Sequence, residues 1–247
     1  MQNQMNPNGM QHLPGNTNMQ QNVKQFAPPA GNMQQNQTQP QPGMQQNPAQ
    51  QQNRMAPSMN HGGHEMFDSH EVLSSIIGML DQYLIYDQFV KDQELRTILY
   101  RQHSFITDLY NTIVEAFSTG QKPTHSTRVY KMQQNNDTVY GLSPGQPKKP
   151  FTSANQVNDE SVSGYMLGLA KSTSSLLAMT ALEMTNPVLR RVIADSVPNF
   201  IEMAYEIYLY QNKHHYYQVP QLAQQDMAQM LQSYAPAQNM QPNQYRQ

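Results

Sequence analysis

Two short stretches decide how this chain folds: Asp92-Gln93-Glu94-Leu95-Arg96-Thr97-Ile98 and Asn186-Pro187-Val188-Leu189-Arg190-Arg191-Val192. Each opens on a side chain that caps a helix, then places Leu at +3, Arg at +4 and an aliphatic residue at +6. Proline directly after Asn186 strengthens the second start, because proline at the first helical position sacrifices no hydrogen bond and its φ is already helical. Each start follows almost at once on another segment of helical period. Long helices separated by a residue or two must run antiparallel, so each stretch marks the tip of a helical hairpin.

Upstream of Asp92, Val72, Leu73, Ile76, Ile77, Leu80 and Leu84 recur at spacings of three and four. They predict a first helix over about 69–90, capped by Asp68 or Ser69, with Glu71 in the first turn. Gly78 inside it costs about 1 kcal/mol against alanine, and close approach of a neighbouring helix offers a reason for it. Downstream, Leu95, Ile98, Leu99, Ile106, Leu109, Ile113 and Phe117 predict a second helix over 92–118, stopped by Gly120 and Pro123. The third, 158–184, starts at Asn158 or Asp159 and carries Val162, Tyr165, Met166, Leu169, Thr173, Leu176, Leu177 and Thr180. The fourth, 187–212, carries Leu189, Val192, Ile193, Val197, Phe200, Ala204 and Ile207. Its apolar period continues beyond Pro198, which therefore predicts a bend near Ala194 and not an end.

Between the hairpins, residues 119–157 have no helical period and contain Pro123, Gly141, Pro144, Gly145, Pro147 and Pro150. A helix of ~26 residues is about 39 Å long, whereas an extended segment of ~39 residues reaches well over 100 Å. The segment is long enough to run the length of one hairpin and start another. The expected fold is all-α: a ferritin-like four-helix bundle over 64–215, made of two antiparallel helical hairpins and a long crossover.

The flanks differ in character. Residues 1–63 are rich in Gln, Asn, Pro, Met and Gly, and Lys24 and Arg54 are their only charged side chains. Such a composition buries too little apolar surface to offset chain entropy, and it predicts a disordered arm. The arm reads as an idle linker or, through its amides, as a weakly self-associating segment. In the tail, 216–247, Leu222, Met227, Met230 and Leu231 are spaced for a short peripheral helix.

Composition excludes several functions. A net charge of −2 makes no general case for nucleic acid or an anionic membrane. The absence of Cys removes disulfides, thiolate zinc sites and a cysteine nucleophile. No apolar run reaches the ~18 residues of a membrane span, and the first residues show no basic-then-apolar secretory pattern. A di-iron site in such a bundle would need carboxylates from all four helices and Glu-x-x-His on two of them. Glu94, Glu115, Glu183, Glu202 and Glu206 are followed at +3 by Thr97, Ser118, Asn186, Tyr205 and Leu209, never by His. These glutamates read as solvated or capping groups, and no metal ligand, cofactor site or catalytic residue is assigned. His61, His64 and His70 at one end and His214 and His215 at the other read as solvated histidines; His103 reads as packed or partly exposed. Gly-rich phosphate loops, G-x-S-x-G and H-E-x-x-H are missing. Ser172, Ser174 and Ser175 have no nearby base, and Lys148-Lys149 is too short for a nucleic-acid patch. Tyr205, Tyr208, Tyr210, Tyr216 and Tyr217 cluster late in the chain; helix packing accounts for the first three better than for the last two.

The patterned residues resemble the coat F family of endospore-forming bacteria. The likeness is carried by Asp68-Ser69-His70-Glu71-Val72-Leu73, Lys91-Asp92-Gln93-Glu94-Leu95-Arg96 and Asp108-Leu109-Tyr110-Asn111 in the first half. In the second half it is carried by Val162 to Gly168, Ala181 to Arg190, and Glu202-Met203-Ala204-Tyr205-Glu206. The resemblance covers roughly 65–213 and implies a ferritin-like domain without a metal site. It implies a non-enzymatic structural protein of the endospore, in the coat or an underlying layer. Its partners would be other spore coat proteins, with self-association as a further option and no small-molecule substrate. Amide cross-linking of the Gln-rich arm or dityrosine formation at Tyr216 and Tyr217 is a further option. A ferritin-like metal-binding oxidase or storage protein is the alternative reading.

Overall fold

The computed structural model describes residues 61–239. The arm expected over 1–63 lies outside the described residues as far as residue 60, as does the end of the tail from residue 240. Among the described residues the chain is all-helical, with a single isolated bridge, Tyr140 to Val219, as extended pairing. Four long helices, α1 (Gly63–Asp87), α2 (Gln93–Thr119), α3 (Asp159–Glu183) and α4 (Pro187–Lys213), are followed by a short α5 (Gln224–Leu231). A 3-10 turn at Ala154–Gln156 precedes α3.

Each long helix packs on two others: α1 on α2 and α3, and α4 on α2 and α3. Every neighbouring pair is antiparallel. Glu65 at the start of α1 bonds the backbone of Asn186 beyond the end of α3, and Tyr210 near the end of α4 donates to Asp92 at the start of α2 (3.1 Å). Val72, Ile76, Met79, Leu95, Ile98, Ile106, Ile113, Met166, Leu177, Ile193, Phe200 and Ile207 meet in one core.

The first hairpin differs from expectation at both of its ends. Helix α1 begins at Gly63, six residues before Ser69, because Glu65 and Ser69 dock on the α3–α4 junction and are fully buried. The N-cap, Gly62, lies so close to Thr185 that a Cβ would sit 3.3 Å from its Cγ2. A tertiary contact outweighs the low helix propensity of Gly62 and Gly63 here. At its other end α1 stops at Asp87, not near 90, and the turn occupies 88–92. The N–H groups of Lys91 and Asp92 are taken by the Asp159 carboxylate at 2.8 and 3.2 Å, which holds that turn open.

The second hairpin tip is built the same way in reverse. Asn186 accepts from the N–H groups of Val188 and Leu189 (2.9 and 3.0 Å) and caps α4. Its amide also donates to the carbonyl of Gly120 (3.3 Å). Gly120 ends α2 with φ of 63°, the left-handed cap that glycine adopts without strain. Helix α4 runs unbroken through Pro198. The side chain of Asn199 donates to the Asp195 carbonyl at 3.1 Å beside it.

The crossover runs along α4 in the direction of that helix. Three α4 side chains hold it by its backbone. Asn199 accepts from Tyr130 N–H (2.8 Å) and donates to the Arg128 carbonyl (3.0 Å). Glu206 accepts from Gln133 N–H (3.1 Å). Asn212 accepts from Val139 N–H (2.6 Å) and donates to its carbonyl (3.0 Å). Beyond these, Gly141 N–H reaches the Val219 carbonyl (2.8 Å), so the chain that leaves α4 turns back onto the crossover.

Gly78 does not serve a close helix contact: a Cβ there would meet nothing within 4 Å. Gly78→Ala is therefore expected to stabilise the protein by about 1 kcal/mol, the helix-propensity difference, read as a higher urea midpoint. Asn199→Ala is expected to destabilise it by about 1–3 kcal/mol, because the buried Tyr130 N–H loses its acceptor, with faster hydrogen exchange at that amide.

Candidate functional site

The polar groups at the centre of the domain converge on Glu206. Its side chain is fully buried on α4. One carboxylate oxygen accepts from the Arg101 guanidinium and Gln133 N–H; the other accepts from Tyr130 hydroxyl and, at 3.1 Å, from Gln102. Gln102 also donates to the Met203 carbonyl (3.2 Å) and accepts from Tyr83 (2.9 Å). Arg101 reaches Tyr130 and Gln133 with its other nitrogens (3.2 and 2.9 Å). Burial, and then the charge of Glu206, push the Tyr130 phenol far up, so it remains a neutral donor. Burial alone would lower the Arg101 guanidinium, but Tyr130 and Glu206 outweigh it and hold it above its usual value. The network joins α1, α2, α4 and the crossover.

A second buried carboxylate lies at the start of α1, against the α3–α4 tip. Glu65 accepts from His61 on one oxygen and from Thr185 hydroxyl, Thr185 N–H and Asn186 N–H on the other. Burial favours the neutral acid, yet the hydrogen bonds from Thr185, His61 and the two N–H groups prevail and hold the carboxyl below its ordinary value.

These placements correct two readings. His61 is not a solvated terminal histidine. Its side chain is 10% exposed, paired with Glu65, and its other nitrogen lies 3.2 Å from the Phe117 carbonyl. His214 is also half-buried, with its ring 4.4 Å from that of Tyr210. His64, His70 and His215 are exposed. Glu206, read as a solvated or capping group, is a core residue. The signal available was its position beside Met203, Ile207 and Tyr210 on the buried stripe of α4.

The residues around Glu206 do not fit a di-metal centre. Both oxygens of Glu206 are engaged, and its charged neighbour is a guanidinium where a metal site would need a second carboxylate. Among the described residues no three His, Asp or Glu side chains are grouped to hold a metal ion.

The Coat F domain family matches residues 158–220. The spore coat protein F-like protein YhcQ of Bacillus subtilis (strain 168) is 54% identical over 181 residues, covering 73% of this chain and 83% of that protein. The chain belongs to the coat F family. No solved structure matches it. The matched coat F segment contains α3, α4 and the chain returning from α4, and with them Asn199, Glu206 and Asn212, the three side chains that hold the crossover.

The same coat F segment supplies most of a cleft of about 720 Å³ between the crossover, the start of α3 and the end of α4. Phe151, Tyr165, Tyr216 and Tyr217 line it, with Lys148 and Glu160 paired at 2.8 Å on its rim. Tyr217 is partly exposed, its ring edge-on to Tyr208 at 5.3 Å and under the Lys171 ammonium at 5.6 Å. Tyr216 stacks on His214 at 5.5 Å. On α3, Ser172 and Ser175 donate to carbonyls of their own helix.

Arg101→Met is expected to destabilise the domain by about 3 kcal/mol, because it leaves a buried carboxylate without its cation. Arg101→Met combined with Glu206→Gln recovers part of that loss in urea titrations. Glu65 gives a pH signature. Its folded value is depressed, so its contribution is complete at neutral pH and is lost as pH falls through that folded value. Glu65→Gln is expected to be less stable at neutral pH and to show a shallower loss on acidification.

Proposed function

We propose that the protein is a non-enzymatic structural constituent of the bacterial endospore coat or a layer beneath it, acting by association with other coat proteins. The 54% identity to a spore coat protein F-like protein carries this reading. The antiparallel ring of four helices with one end-to-end crossover supports a ferritin-like four-helix bundle over 64–215, between an N-terminal arm and a C-terminal tail. The buried polar groups favour scaffolding over chemistry. Glu206, Arg101, Gln102 and Tyr130 satisfy one another, which leaves none of these four poised as nucleophile, base or metal ligand. No helix among the described residues is long and apolar enough to cross a membrane.

A tagged copy followed through sporulation is expected to accumulate at the forming spore and to be abundant in extracts of purified spores. Presence in growing cells with absence from spores would overturn the assignment. Incubation with ferrous iron is expected to leave the purified protein without stoichiometric metal or oxidase activity; the opposite result would establish a metal-handling bundle.

A further inference from the structure

The cleft beside α3 and α4 is walled on one side by the last part of the crossover, Gln146 to Phe151. Every residue from Leu142 to Phe151 is exposed. The segment is fastened at both of its ends. At the first, Gly141 N–H reaches the Val219 carbonyl (2.8 Å) and the Gln218 side-chain amide donates to the Ser143 carbonyl (3.2 Å). At the second, the N–H groups of Thr152 and Ser153 go to the Gln156 side chain (2.8 and 3.3 Å). Between those ends, one group among the described residues makes a hydrogen bond or ion pair. The Lys148 ammonium donates to the Tyr216 carbonyl (3.2 Å) and pairs with Glu160 (2.8 Å).

The sequence makes this segment stiff. Pro144, Pro147 and Pro150 recur at every third position. Each fixes its own φ and holds the residue before it in an extended conformation. Ser143, Gln146 and Lys149 are therefore constrained along with the prolines, and only Gly145 and Lys148 escape. Proline-rich segments of this kind behave as semi-rigid spacers, so this one moves as a single piece about its ends. Gly141, at φ 111°, gives the first end a backbone conformation that residues with a side chain rarely adopt.

The middle is held weakly. The side chains of Lys148 and Glu160 are 76 and 42% exposed, and ion pairs so open to water contribute little and are screened by salt. Exposed backbone with few buried contacts belongs to the low-stability end of a fold. The opposite wall is firm: Tyr165, Tyr216 and Tyr217 lie against Tyr86, His214 and Tyr208 of the helices. We propose that residues 144–151 form a strap over the aromatic cleft, latched at its middle by Lys148 and swinging about its two fastened ends to uncover the rings. This goes beyond the assignment to the spore and does not rest on it.

Trypsin cleavage of the full chain after Lys148 reads the opening, since Pro150 blocks cleavage after Lys149. Cleavage after Lys131, in the part of the crossover that Asn199 and Glu206 hold, is the reference. Glu160→Gln keeps the cleavage site and removes the latch. It is expected to speed cleavage after Lys148 by about two- to fivefold over the reference, the range of an exposed ion pair. Raising salt to about 0.5 M is expected to give the wild type the same gain and to add nothing in Glu160→Gln. Nitration of Tyr165 by tetranitromethane, scaled to the 92% exposed Tyr234, should rise in parallel. Unchanged cleavage after Lys148, an equal salt response in both proteins, an equal gain at Lys131, or flat nitration of Tyr165 would each overturn the strap. Absence from spores would overturn the coat assignment and leave these results intact.

Discussion

Asp159 and Glu65 fasten each helical hairpin to the start of the other. A hairpin tip exposes backbone N–H groups that no helix can satisfy. Asp159, in the first turn of α3, accepts from Lys91 and Asp92 at the α1–α2 tip. Glu65, in the first turn of α1, accepts from Thr185 and Asn186 at the α3–α4 tip. Each carboxylate also sits at the positive end of its own helix, where negative charge is favoured. The two clasps lie at opposite ends of the domain. Together they fix how far one hairpin slides along the other, and so which side chains face each other at the level of Glu206.

That level is where the crossover gains its place. An extended segment with no sheet to join must find partners for its own amides. Helix α4 supplies them from Asn199, Glu206 and Asn212, while Tyr130 fills the space beside Phe105, ring edge to ring face at 5.2 Å. Glu206 thus serves two purposes. It holds the crossover backbone, and it anchors a guanidinium that would otherwise be a charge with too few partners in a mostly apolar interior. Satisfied on every side, such a network rigidifies the interior and disfavours alternative packings.

The helices were legible because their core faces are mostly apolar at helical spacing. Val72, Ile76, Leu95, Ile98, Val192 and Ile193 needed no knowledge of the fold to be placed inside. The first turn of α1 was not legible, since its buried positions are Glu65 and Ser69 in a run with Gly62 and Gly63. Those residues become interior only when Thr185 and Asn186 arrive from more than a hundred positions away. Glu206 was hidden for the same reason: a glutamate belongs at the surface unless donors surround it, and its donors come from α2 and the crossover. The role of Asn199 and Asn212 depends on an extended chain whose course no local pattern reveals.

The crossover is read through its backbone at each of the three α4 contacts. Its side chains point largely elsewhere: Val129, Tyr140 and Leu142 are 76, 62 and 68% exposed. Side chains add to the grip at Tyr130, at Met132 on the core and at Thr138, whose hydroxyl accepts from Tyr208 (3.4 Å). The exposed positions of the segment therefore form a display rail, on which residues can be exchanged to alter what the surface presents without loosening the rail from its mount.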